Sequence, residues 1–203
     1  MNNLSVIILA GGSSERMKYP KPFLPFDSQI TFIEKIVLEY YNFGCSEVII
    51  VLNKELNLQP WDINLSNISS KTSIIINKHS DFGRFYSIQL GAKALQNIEQ
   101  CFIQNVDNPF IDQDLLKEIY SSRVNNGYVV PMYLDNGGHP VLISNNVIKS
   151  IIEEKNIYVN FKEKLKKFNR KSISVVSKKL LVNINTIEDY KLHFDKELLK
   201  KVL

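Results

Sequence analysis

Residues 4–26 read LSVIILAGGSSERMKYPKPFLPF. Leu4 to Ala10 is an apolar run of strand length, the pattern of a strand covered on both faces in a parallel sheet. It breaks at Gly11-Gly12 into a small polar loop, and two cations, Arg16 and Lys21, follow within one short connection. Backbone N–H groups in such a turn can point at anionic oxygens, and nearby cations offset the remaining charge, which is how a polyphosphate is held. Gly-Gly alone reads equally well as a plain strand exit. Two common phosphate-binding patterns are excluded by spacing. A P-loop needs a Gly-Lys pair after its four-residue spacer, and the dinucleotide fingerprint needs a third glycine opening a helix; neither is present.

Outward from this segment, the chain alternates strand-like and helix-like patterns. Strand-like runs fall at Leu4–Leu9, Glu47–Leu52, Ser73–Ile76, Cys101–Val106, Tyr128–Met132, Pro140–Ile143, Ile173–Val176 and Leu180–Ile184. Phe32, Ile33, Ile36, Val37 and Tyr40 recur at helical spacing, with Gly44 as a stop. Phe85, Ile88, Gln89 and Ala92 begin a second stripe, and Asp112 and Asp114 open a third helix before Leu115–Arg123. This order predicts an α/β fold: a mostly parallel sheet between helical layers. Asp135-Asn136-Gly137-Gly138 is turn chemistry and predicts a hairpin or a small antiparallel insertion. Residues 53–71 read as a loop with a short helix near Trp61. No linker or repeat divides the 203 residues, so one domain over 1–203 is expected.

Composition narrows the class. Hydrophobic residues make up 44% and charged residues 23%, ordinary values for a soluble globular protein. No apolar stretch approaches membrane-spanning length and the N-terminus has no signal-peptide pattern, so no membrane partner and a cytoplasmic location are expected. Cys45 and Cys101 read as buried free thiols in a reducing compartment. Residues 149–203 hold 14 Lys/Arg against 7 Asp/Glu. That surplus reads as a solvated helical face or as a surface for an anionic partner; without interleaved aromatics it does not suggest nucleic acid.

In an open α/β sheet, ligands sit beyond the carboxyl ends of the strands. After the fourth run comes Asp107-Asn108-Pro109-Phe110, where Asp107 reads as a turn former or as a carboxylate placed to hold a divalent cation against phosphates. Leu9-Ala10-Gly11-Gly12-Ser13-Ser14-Glu15-Arg16-Met17 with Lys21 resembles the signature of the MobA-like nucleotidyltransferases, which include the enzymes that attach GMP or CMP to molybdopterin. Asp107-Asn108-Pro109-Phe110 resembles their Asp-x-Pro-Phe. Asp81-Phe82-Gly83-Arg84-Phe85-Tyr86-Ser87-Ile88 resembles their second nucleotide-facing segment. Gly138-His139-Pro140-Val141 resembles a segment of the cytidylyltransferase branch, and Val182-Asn183-Ile184-Asn185-Thr186 the closing motif. Pro20-Lys21-Pro22-Phe23-Leu24-Pro25 leans toward the sugar-phosphate nucleotidyltransferases. One departure is Lys18, where many relatives have glycine.

The resemblance implies a Rossmann-like nucleotidyltransferase fold, of the nucleotide-diphospho-sugar transferase type. It implies NMP transfer from a nucleoside triphosphate to a phosphate-bearing acceptor, with release of pyrophosphate and with Mg²⁺ as cofactor. Molybdopterin is the leading acceptor, with an apoenzyme that receives the product as a further partner. The alternatives are a sugar-phosphate or alditol-phosphate acceptor, or a catalytically silent nucleotide-binding domain. Lys21, Arg16 and Asp107 are the expected catalytic residues. Leu9, Ala10, Gly11, Gly12, Ser13, Ser14, Gly83 and Ser87 are expected at the nucleotide, His139 at the acceptor, and Asp107 with Asn185 at the metal. Each has a plainer reading: His139 bonding a backbone group, Asn185 as a helix N-cap, Ser87 as a first-turn residue, Arg84 as a surface cation. Leu-Ala-Gly-Gly is the form of guanylyl-transferring members, and the missing Cβ of Gly11 would let a base approach the backbone. GTP is therefore expected to serve at least as well as CTP, although Gly138-His139-Pro140-Val141 points the other way.

Overall fold

A computed structural model describes residues 3–57, 65–96 and 99–200. Its first four strands are β1 (Leu4–Ala10), β2 (Glu47–Asn53), β3 (Ser73–Asn77) and β4 (Gln100–Asn105). All run parallel: β1 lies between β2 and β4, and β3 lies outside β2. β5 (Tyr128–Tyr133), the two-residue β6 (Asn136–Gly137), β7 (Val141–Ser144) and β8 (Arg170–Ser174) complete the sheet. Its order is β3-β2-β1-β4-β7-β5-β6, with β8 also paired to β5. β7 runs antiparallel to both neighbours, while β8 is parallel to β5. The mostly parallel α/β expectation holds, and the antiparallel insertion is β7 with the small β6 turn against Met132 and Tyr133.

Period-two alternation sends side chains of β1 and β2 to two separate cores. Val6, Ile8, Ile50 and Leu52 face one; Ile7, Ile49 and Val51 face the other. The first core is covered by α1 (Phe32–Phe43), α3 (Gln113–Ser121), α6 (Ile187–His193) and α7 (Lys196–Leu199). The second is covered by α2 (Gly83–Ala94), α4 (Asn145–Ile152) and α5 (Phe161–Leu165). The result is the three-layer arrangement expected. α1 starts with a capping box between Thr31 and Glu34 and ends at Gly44 in the left-handed conformation, φ 93°. α2 lies so close to β1 that a β carbon on Gly91 would fall 2.6 Å from Ile7 Cγ2. Close packing of this kind fixes the start of α2 relative to the β1 loop.

Two expectations change and a third is untested. Leu180–Ile184 is not a strand: Lys178–Leu181 form a 3-10 turn and an extended segment follows. Its backbone groups bond to loops instead of a ladder, as Ile184 N donates to the Asp107 carbonyl at 2.8 Å. Ile173–Val176 is shifted, because pairing with Tyr128–Met132 sets the strand at Arg170–Ser174 and leaves Val176 98% exposed. The helix expected near Trp61 lies outside the described residues.

Candidate active site

The loops after β1 and β4 are joined at their base, where Val106 N donates to the Leu9 carbonyl at 3.1 Å. Between them, at the carboxyl ends of the parallel strands, is a cavity of about 370 Å³. It is lined by nine of the expected residues: Leu9, Ala10, Gly11, Gly12, Ser14, Lys21, Gly83, Ser87 and Asp107. Ser13 faces a neighbouring cavity of about 230 Å³ shared with Gly12 and Asn53. Arg16 is exposed, and its charge is felt at Lys21 and Asp189. His139 faces an adjoining cavity of about 460 Å³. Asn185 reaches the first cavity through Lys21.

The β1 loop is shaped by two residues in the left-handed region, Ser14 (φ 54°) and Lys18 (φ 57°). The second explains the departure noted in the sequence. Glycine takes this conformation freely, whereas a side chain here costs roughly 1–2 kcal/mol. Met17, fully buried, pins the loop to the core, and Phe23 and Leu24 do the same on the far side of Lys21. The Lys21 amide donates to Ser14 Oγ at 3.2 Å. The two glycines differ. A β carbon on Gly11 would rest against the β2 backbone at 3.4–3.7 Å, an ordinary contact, while one on Gly12, which lines the cavity, would meet nothing within 4 Å.

Lys21 is the centre of the charge arrangement. Its ammonium donates to Asn185 Oδ1 at 2.7 Å and lies 3.9 Å from Asp107 Oδ2. Burial pulls the Lys21 pKa down, Asp107 pushes it up, and Arg16 lowers it. Burial pushes the Asp107 carboxyl up, and Lys21 and Arg84 pull it back. Asp107 Oδ1 is buried with no hydrogen-bond partner. A buried carboxylate oxygen left bare is costly unless a cation meets it, so the donor set fits a divalent ion carried in with phosphates. Among the described residues there is no group of three or more His, Cys, Asp or Glu able to hold a metal without such help. Asn185 Oδ1 is engaged by Lys21.

A buried polar network braces the carboxylate. Gln104 Nε2 donates to the carbonyls of Asn105 (2.7 Å) and Asn108 (2.9 Å), and Tyr40 OH donates to Gln104 Oε1 at 2.9 Å. Asn108 Nδ2 donates to the Leu180 carbonyl at 2.8 Å. The closing segment is thus tied to the Asp107 loop from both sides. Beyond it, Thr186 caps α6, with Asp189 completing a capping box. Asn185 is therefore not the cap, and its side chain is left for Lys21. Tyr190 holds α6 in place by donating to the Pro25 carbonyl at 2.7 Å and by stacking with Phe32 and Phe194. Its burial pushes the hydroxyl pKa up to about 12.

Other residues carry more than the sequence suggests. Arg84 lines the first cavity and two neighbours, so it sits at their junction. Ser87, in the second turn of α2, accepts from Asn77 Nδ2 at 3.0 Å, which ties α2 to the end of β3. His139 Nε2 lies 2.9 Å from Asn105 Nδ2, a side chain rather than a backbone group, and Nδ1 is buried without a partner. Burial, with Arg84 nearby, pulls the His139 pKa down to about 4, so the ring is neutral near pH 7. The asparagines at strand ends, Asn77 and Asn105, are legible in the sequence only as strand exits.

Comparison with known proteins gives the family. The model of the MobA-like NTP transferase domain matches residues 6–168. The chain is 29% identical over 191 residues to the molybdenum cofactor cytidylyltransferase of Escherichia coli (strain K12), covering 94% of this chain and 95% of that protein. It is 29% identical over 118 residues to the 2-C-methyl-D-erythritol 4-phosphate cytidylyltransferase of Fusobacterium nucleatum, covering 57% of this chain and 50% of that one. The crystal structure of Rv0371C in complex with manganese, from Mycobacterium tuberculosis H37Rv, superposes with a TM-score of 0.71 at 17% identity, over 96% of this chain and 99% of that one.

Proposed function

The chain belongs to the MobA-like NTP transferase domain family, and we propose that it transfers CMP from CTP to molybdopterin with release of pyrophosphate. The observation that carries this reading is Lys21 held between Asn185 and Asp107 at the mouth of a loop shaped for phosphates. All described strands belong to one sheet, and we take 1–203 to work as one nucleotidyltransferase domain. The acceptor and the base come from the cytidylyltransferase of Escherichia coli, which matches along nearly its full length. Gly11 favours GTP on steric grounds. That argument weakens because a β carbon at Gly11 would face the β2 backbone.

The chemistry follows from the charges. A phosphate monoester has a second pKa near ~6, so the acceptor is already a nucleophile at neutral pH and needs no general base. Gly11, Gly12 and Ser13 present backbone N–H groups to the triphosphate, and Ser14 orders the turn. Leu9 and Ala10 form the floor; Gly83 and Ser87 form the opposite wall. Lys21 and Arg16 offset charge on the phosphates and on the leaving pyrophosphate. Asp107 would hold Mg²⁺, which would supply positive charge against the phosphates; the bare Oδ1 is the atom suited to it. Asn185 then serves chiefly to aim Lys21. His139, neutral, donates or accepts at the acceptor without carrying charge. The product would pass to an apoenzyme that uses the dinucleotide cofactor. The buried thiols Cys45 and Cys101 suit a reducing, cytoplasmic setting.

Pyrophosphate release decides the matter: molybdopterin with CTP, with GTP, and 2-C-methyl-D-erythritol 4-phosphate with CTP. Release only in the first mixture is expected. A second reading, an alditol-phosphate acceptor, has the Pro20–Pro25 segment and the Fusobacterium nucleatum match in its favour; release only in the third mixture establishes it. No release in any mixture leaves the silent nucleotide-binding domain.

A further inference from the structure

We propose that a cavity beside the nucleotide site is a stacking platform for a planar fused heterocycle carried by the acceptor, with Tyr158 and Phe82 as its specificity-determining walls. This rests on the transfer reading above. The cavity, about 540 Å³, lies between residues 81–85 at the start of α2 and residues 158–162 at the start of α5. It shares Gly83 and Arg84 with the nucleotide cavity, and Arg84, Phe161 and Lys162 with the cavity of His139. One ligand can therefore place a phosphate at the junction and a ring in this third space.

The walls are aromatic. Phe82 is the hub: His79 stacks on it at 4.8 Å and 9°, and Tyr86 and Tyr158 meet it edge-on at 5.2 and 5.9 Å. The cluster joins two segments more than seventy residues apart and leaves its outermost ring, Tyr158, 71% exposed. The loop bearing that ring is held by an Asn156 side chain that accepts from the Tyr158 amide at 3.0 Å. A fixed, open π face is a surface that a flat ring covers and an open-chain alditol does not. Charges at the ends fit the same ligand. The Arg84 guanidinium, 5.8 Å from the Phe161 ring centre, and Lys162 are cations for a phosphate. Asp81, on the same wall, offers a carboxylate to a ring edge with two adjacent N–H donors. The acceptor class is thus a phosphate-bearing planar heterocycle; a pterin has the flat ring and that edge.

The probe is 6-hydroxymethylpterin, which carries no phosphate and reports on the ring site alone. Calorimetric titration of the whole chain is expected to show saturable binding. Tyr158→Ala weakens it about tenfold and Tyr158→Phe leaves it intact, the size and pattern of a lost stacking contact. Phe82→Leu, which keeps bulk and removes the π face, weakens it in the same direction. CTP titration of each variant shows that the fold is retained. Absence of saturable pterin binding to the parent chain overturns the platform, as does equal pterin affinity in Tyr158→Ala. Pyrophosphate release with an alditol phosphate and no pterin binding would remove the platform while leaving nucleotidyl transfer standing.

Discussion

The two halves of the sheet are built differently. In β3-β2-β1-β4 every strand runs the same way and delivers its carboxyl end to one edge. β1 and β2 are buried along nearly their whole length. In β7-β5-β8 the direction reverses at β7, and β8 is exposed at four of its five residues. Parallel strands covered on both faces give a rigid edge where small loops can hold charges in fixed positions. The half with the reversed strand lines the cavity of His139, through Tyr128, Val130 and Val141 with Arg170 of β8. On the proposed function, the first half holds the triphosphate and its chemistry, and the second meets whatever accepts the nucleotide.

On that division, damage to the first half removes turnover and damage to the second shifts acceptor or stability. The largest effect is expected for Asp107→Asn. It leaves shape intact and removes the charge proposed to hold the metal, so turnover falls by on the order of 10³ or more at every practical Mg²⁺ level. A normal Mg²⁺ titration of this variant would break the scheme. Lys21→Ala comes next, with kcat down on the order of 10²–10³ and triphosphate affinity nearly unchanged. An equal rise in the dissociation constant would make Lys21 a binding residue only. Gly12→Ala should weaken CTP binding by about 10–200-fold, the range for one methyl in a pocket, because Gly12 lines the cavity and no neighbour covers its β position. Gly11→Ala should change neither affinity nor the CTP/GTP ratio; a shift toward CTP would restore the steric argument for guanine.

The effect expected in the second half is one of stability rather than turnover. His139 has a folded pKa of about 4 against 6.5 in the unfolded chain. Above pH 6.5 both forms are neutral and nothing is lost. As pH falls from 6.5 toward 4, the unfolded chain takes up a proton that the folded one refuses. Stability then drops by up to about 1.4 kcal/mol per pH unit. Urea midpoints measured between pH 7 and pH 4 should fall less steeply in His139→Gln than in the parent. Parallel lines would show that the ring is solvated.

How far the sequence can be read follows the same boundary. β1 is visible because an unbroken apolar run of that length, stopped by two glycines, suits a strand buried on both faces. The helical stripe from Phe32 to Tyr40 ends where Gly44 stops it. β8 is misplaced from sequence because Arg170-Lys171-Ser172 has no apolar signal; hydrogen bonds to Tyr128–Val130 alone make it a strand. Leu180–Ile184 resembles a strand because it is apolar. Its carbonyl and amide groups are taken by Asn108 and Asp107, partners far away in sequence. Motif order groups Lys21, Asp107 and Asn185 but does not show that Asn185 grips Lys21. Nothing local distinguishes that asparagine from the N-cap one residue on. Arg84 reads like any surface cation, since its place at the junction of three cavities arises from the packing of α2 over β1.

The bond between Lys21 and Asn185 spans 164 residues of chain. At the pace of protein synthesis that interval is roughly 8–33 s. For that time a growing polypeptide displays the glycine loop, joined over the second part of the interval by the Asp107 loop, without the amide that meets the lysine. The aromatic cluster of Tyr190 and Phe194 with Phe32 forms later still, from residues near the end of the described chain. Completion of the site is therefore a late event in the life of each molecule. On the proposed function, an unfinished chain would carry the glycine loop without the arrangement to use a nucleotide.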